Sequence, residues 1–136
     1  MRRLLSTSCT NTSFNIAVLL LRVVFGSLLF IQHGLPKIQT FSQRASSFYD
    51  PFGIGHQASL LLVIFAEVFC SVFVVIGLFT RLAVIPLIIT FIVIVFMNQK
   101  GAPLGKVELP ILFMAAFFAL LFTGSGKYSV DGALGK

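Results

Sequence analysis

Apolar and polar positions divide the chain into four long apolar runs, roughly 14–34, 58–79, 82–98 and 107–123, with polar connections between them. At about 1.5 Å rise per residue the shorter two reach roughly 25 Å and the longer two over 30 Å, so each can cross a bilayer as a helix. Ser13 is the expected N-cap of the first run, and Gly34 followed by Pro36 predicts its end. The tight "GLFTR" connection makes the second and third runs antiparallel neighbours. Pro86 and Pro110 fall in the first turns of the third and fourth helices, where a missing N–H costs least. The 35–57 connection is longer than two antiparallel helices need. Within it Ile38, Phe41, Ala45, Phe48 and Phe52 recur at three- and four-residue steps, opposite Gln39, Ser42, Gln43, Ser46 and Ser47. That pattern predicts a short amphipathic helix at the membrane interface, with a covering loop as its alternative. The expected fold is a single all-α membrane domain over 1–136. It is an antiparallel four-transmembrane-helix bundle with a short amphipathic interfacial helix between spans one and two.

Composition strengthens this reading. The chain is 57% hydrophobic and 10% charged, where soluble domains are about a quarter charged. A net charge of +6 in a soluble chain would point to nucleic acid. Here the basic residues are spread over loops and ends, so they are read as topology determinants and lipid-headgroup contacts, and no nucleic acid is expected. Arg2, Arg3, Arg81, Lys127 and Lys136 fall on the side of the termini, and Lys37, Arg44, Lys100 and Lys106 on the other. The bias favours cytoplasmic termini. The opening "MRRLLSTSCTNTS" has too short an apolar stretch for a signal peptide. Cys9 and Cys70 form no C-x-x-C and are expected to be structural thiols.

Charge within the apolar runs raises the question of chemistry. An ionisable residue at mid-membrane costs about 2.5–3.5 kcal/mol on insertion scales and usually faces the bundle interior with a partner. Arg22 and Glu67 are the two such residues. Counted from the outer end, Glu67 lies about nine residues deep and Arg22 about twelve, a difference of roughly 5 Å, so an Arg22–Glu67 ion pair is expected. Arg22, Gly26, His33 and Lys37 share one stripe of span one. His33, Asn98 and Glu108 sit at one level near the outer end. They are either headgroup-level solvation and helix capping or the mouth of a small-molecule pocket with His33 or Glu108 passing protons. Ala115 and Ala119 predict a close helix-packing seam. No metal or haem site is expected, because ligand spacing is absent and the two histidines are unpaired.

Several of these residues occur in a familiar order. "LRVVFGSLLFIQHGLPKI" resembles the first span of the DoxX family through Arg22, Gly26, Gly34 and Lys37. "FAEVFCSVFVVIGLFTRLA" is similar to its second span through Glu67, Gly77 and Arg81, and "GKVELPILFM" to its fourth-span entry through Glu108. "GSGKYSVDGAL" resembles its closing signature, carried by Gly124, Gly126, Lys127, Tyr128, Ser129 and Asp131. The resemblance covers about residues 14–134 and departs at Asn98, where a histidine is common. It implies a four-span protein of a bacterial cytoplasmic membrane, with Gly34, Lys37, Gly77, Arg81, Gly126, Ser129 and Asp131 in structural positions. It further implies a subunit of a quinone-linked or thiol-stress redox system with soluble or membrane redox partners. The leading expectation is therefore a protein that binds a quinone-like amphiphile, with no intrinsic cofactor. Arg22, Gly26, His33, Glu67, Asn98 and Glu108 are the ligand-binding candidates, and Glu67 and His33 the candidate proton relay. The rival is a non-enzymatic assembly subunit. Small-molecule transport is less favoured, since four spans without a repeat leave little room for alternating access unless a homodimer supplies it.

Overall fold

The computed structural model describes residues 2 and 4–135. Four helices long and apolar enough to cross a membrane carry the fold. They are α1 (Asn11–Gln39), α3 (His56–Ile76), α4 (Thr80–Asn98) and α5 (Leu104–Thr123). One-turn helices α2 (Phe41–Arg44) and α6 (Val130–Ala133) complete the set. The spans pack as a ring, α1 on α3, α3 on α4, α4 on α5 and α5 back on α1. Only 22–39% of each span's most apolar window is buried inside the protein. The remaining apolar surface, including Leu20, Leu61, Phe69, Ile89 and Phe122, faces outward and takes the bilayer as its solvent.

Between the helices lies a core in which Val18, Leu29, Val74, Val84, Leu87, Phe117 and Leu120 are fully buried. Phe91 and Phe113 stack at 5.4 Å between centroids, with Phe117 continuing the stack 6.1 Å from Phe113. Gly26 and Gly34 bring α1 against α3. A Cβ at Gly26 would stand 2.6 Å from Val75 Cγ2, and one at Gly34 2.8 Å from the Glu67 carbonyl. Bare glycine backbone is what lets those helices approach.

Several boundaries differ from the sequence reading. The first helix starts at Asn11, because Thr10 is the N-cap and its Oγ1 accepts the Ser13 N–H at 3.1 Å. It also runs past Pro36 to Gln39. A π turn over Phe30–Gly34, in which the Leu35 N–H reaches back five residues to the Phe30 carbonyl, precedes the proline. The wider turn lets the helix pass a residue that supplies no N–H. Pro110 stands in the second turn of α5, not the first, since that helix begins at Leu104. The interfacial helix is the single turn Phe41–Arg44, and beyond Ser47 the chain is a covering loop. Asp50 organises that loop by accepting the Ile54 and Gly55 N–H groups at 3.1 and 2.8 Å and the Ser59 hydroxyl at 2.9 Å. Ala115 is exposed and Ala119 half-buried, so the expected seam faces outward, while Ala116 packs inside.

Candidate functional site

Three π turns occur among the described residues: Phe30–Gly34 in α1, Phe65–Cys70 in α3 and Ile94–Asn98 in α4. Those of α1 and α4 lie toward the helix ends away from the termini and that of α3 lies at mid-helix, and each places a side chain on one cavity: His33, Glu67 and Asn98 respectively. A π turn widens the helix and leaves carbonyls without their usual partners, which is why such turns collect at functional sites. In α3 the Ser71 hydroxyl answers this by donating to the Glu67 and Val68 carbonyls.

The cavity has a volume of about 600 Å³, within the range of small-molecule sites. Phe48 and Phe52 of the covering loop form one side, and Phe65, Phe91, Ile94 and Phe113 form the apolar walls. Its polar floor is the ion pair of Lys37 Nζ and Glu67 Oε2 at 2.7 Å, with the lysine also donating to the His33 carbonyl at 3.3 Å. The Glu67 side chain is 2% exposed and that of Lys37 15%. The His33 ring meets Phe113 edge-on at 5.7 Å, which holds the imidazole in the wall. Arg44 joins from α2, its Nε donating to Thr40 Oγ1 at 2.7 Å. Gln99 Oε1 is buried in the same lining and accepts no hydrogen bond among the described residues.

Glu67 therefore pairs with Lys37, and the expected Arg22–Glu67 pair does not form. Arg22 belongs to the opposite end. Arg22 is 1% exposed, and its guanidinium donates from Nη1 to the Ser125 carbonyl at 2.8 Å and from Nη2 to the Tyr128 carbonyl at 2.7 Å. The residues after α5 fold back to meet it. Gly126 is left-handed with its Cα side against Val18 and Asn15. Ser129 Oγ donates to the Gly126 carbonyl at 2.7 Å and accepts the Gly132 N–H at 2.9 Å. The Asp131 N–H donates to the Gly77 carbonyl at 3.0 Å, and Arg81 Nη2 to the Phe122 carbonyl at 3.2 Å. Arg22, Gly77, Gly126, Ser129 and Asp131 thus form a buried clasp that ties the last segment to α1 and the α3–α4 turn.

Of the six ligand-binding candidates, His33, Glu67 and Asn98 line the cavity. Arg22 sits in the clasp, Gly26 packs on Val75, and Glu108 is exposed near the start of α5, outside the lining. Sequence reasoning assigned no site role to Arg44, Tyr49 and Thr90, which line the cavity too. The signal for the first two was available, since Arg44 and Tyr49 flank the Phe41–Phe48–Phe52 stripe. Thr90 gave none, because its hydroxyl is occupied by the Pro86 carbonyl at 2.8 Å.

Four membrane-crossing helices with a polar-floored cavity in one half define an integral membrane protein of the four-span class. The DoxX family profile matches residues 17–99, more than half of the chain, and the chain belongs to that family. It is also 33% identical over 123 residues to a protein of Bacillus subtilis (strain 168) described as "Putative oxidoreductase CatD", covering 89% of each chain. No solved structure matches it.

Proposed function

We propose that this protein is a redox-linked membrane subunit that binds a quinone-like amphiphile in the cavity floored by Lys37 and Glu67. The observation that carries the reading is the convergence of three π turns on a cavity with aromatic walls and a buried ion pair. An amphiphile with a ring of oxygen substituents fits this lining. Lys37, Arg44 and His33 can donate to carbonyl oxygens, and Gln99 Oε1 is an acceptor waiting for a hydroxyl. The phenylalanines would stack on the ring and receive its tail. Glu67 and His33 stand where a proton could be held beside the headgroup. Redox chemistry would be supplied by the ligand and by a partner subunit. The description of the Bacillus subtilis relative supports the same direction. The protein would lie in a bacterial cytoplasmic membrane with both termini cytoplasmic, in line with the basic residues on that side.

Binding of short-tailed quinone and quinol analogues to the purified protein, by calorimetry, tests this. Val63→Phe narrows the cavity without altering charge, and Glu67→Gln alters its floor; each is expected to weaken binding by about tenfold, the loss of one or two good contacts. Affinity unchanged by both variants would sink the reading. The assembly-subunit alternative has one observation in its favour: Glu67 already holds a counter-ion. It predicts that Glu67→Gln lowers recovery of the complex but leaves turnover per intact complex unchanged.

A further inference from the structure

A second cavity, of about 640 Å³, lies at the end of the bundle that carries the termini, between the start of α4 and the loop after α5. The α4 helix begins abruptly. Gly77 and Phe79 are both left-handed, at φ 76° and 48°, and among the described residues no side chain makes a capping hydrogen bond at the helix start. The first N–H pairing into the helix is that of Ala83 with the Phe79 carbonyl. The N–H groups of Thr80, Arg81 and Leu82 therefore have no intrahelical partner, and all three residues line the cavity. Thr80 is 1% exposed, and its Oγ1 makes no hydrogen bond among the described residues. A buried hydroxyl without a partner among the described residues, at the positive end of the 19-residue α4, is an unfilled polar position.

The opposite wall has matching chemistry. The Ser125 carbonyl turns to Arg22, and the two ends of one trans peptide point opposite ways, so the Gly126 N–H turns away from Arg22. Lys127 is exposed at the rim, and Arg81 is exposed beside the helix start. Among the described residues Asp131 is the one carboxylate in the lining, and it interacts with the charge of the buried Arg22. Among the described residues of the lining, Arg81 and Lys127 stand against Asp131, a surplus of one positive charge. Phe79 and Leu82 at the same end are exposed and apolar, half and two-thirds open respectively, so the site borders on acyl chains.

We propose that this cavity binds the phosphate of an anionic phospholipid headgroup, held by the α4 N-terminus, Thr80 Oγ1, Arg81 and Lys127. Helix N-terminal N–H groups and flanking cations are the usual means of holding phosphate, and the adjoining Phe79 and Leu82 favour a lipid over a free anion. The site is at the opposite end from the quinone-like reading, and neither depends on the other.

Native mass spectrometry of the detergent-solubilised protein, titrated with phosphatidylglycerol or phosphatidylcholine of matched chains, tests the proposal. Phosphatidylglycerol is expected to bind about tenfold more tightly, and the Arg81→Gln/Lys127→Gln pair to remove that preference. Lys127→Gln alone, at an exposed position that leaves folding intact, lowers the preference, as does Thr80→Val, which keeps shape and deletes the hydroxyl. Equal affinity for the two lipids, or a preference unchanged in the double variant and in Thr80→Val, overturns the proposal. Competition by millimolar inorganic phosphate as effective as that by phosphatidylglycerol also overturns it, by assigning the cavity to a free anion.

Discussion

Lys37 and Glu67 stand thirty positions apart and meet within 2.7 Å across two helices. Removing one member of a buried pair leaves the other uncompensated, so Glu67→Gln is expected to destabilise the bundle by on the order of 3 kcal/mol. Lys37→Gln added to it should recover part of the loss, with a coupling of about 1–3 kcal/mol in a double-mutant cycle read by thermal unfolding in detergent. Purely additive losses would show that the pair does not interact. That Glu67 needs a cation was legible in the sequence; which cation was not. Arg22 and Lys37 lie on one stripe, and a lysine stem can bend inward from a nominal helix end to a deeper carboxylate. Gly77 is the second residue whose role became clear only in the fold. At φ 76° it closes α3, and a Cβ there would collide with Ser129 and with the Arg22 guanidinium. Gly77→Ala combines a left-handed penalty with overpacking and should cost roughly 2–4 kcal/mol, visible as a lowered midpoint of helical melting.

Among the elements, the π turns separate what pattern can predict from what packing decides. Apolar runs marked the four spans, because a bilayer demands some twenty apolar residues whatever their neighbours. No composition rule marks an i→i+5 turn, and counting at α-helical rise through Phe30–Gly34 and Phe65–Cys70 misplaces every side chain beyond them. These two turns also touch. Gly34 closes the first and lies against the Glu67 carbonyl of the second. Gly34→Ala should therefore push α1 from α3 and lower stability by about 1–3 kcal/mol. Replacing Gly105, which has no atom near its Cβ position, by Ala in parallel should leave the melting midpoint unchanged or higher. An equal loss at both positions would refute the contact as the cause. The interfacial helix was half legible: its apolar stripe is real, and Phe48 and Phe52 face the cavity, but Asp50 gathers the chain into a loop before a second turn can form.

For the whole molecule, that loop is what covers the candidate site, and its closure depends on one carboxylate. Desolvation pushes the Asp50 carboxyl upward, but the Gly55 and Ile54 N–H groups, the Ser59 hydroxyl and nearby His56 outweigh it and hold it below the ordinary range. A carboxyl depressed in the folded state stabilises the loop fully above its unfolded value of about 4 and loses that contribution as the pH falls through the lower folded value. Proteolytic nicking between residues 45 and 55 by an acid-active protease should rise as the pH falls below about 4. Asp50→Asn should nick readily across the range, with the pH step gone; a step of unchanged size would assign it elsewhere. The sequence by itself determined the membrane class, the number of spans, their antiparallel order and the presence of a buried carboxylate needing a partner. Length and hydropathy decide those locally, since each span must satisfy its own backbone and match the bilayer. Only the tertiary structure decided that Arg22 and Glu67 serve opposite ends, one in a clasp of loop carbonyls and the other beneath a cavity. Partner choice inside a bundle depends on helix rotation and on where the last segment folds back, and both are set by contacts between residues far apart in the chain.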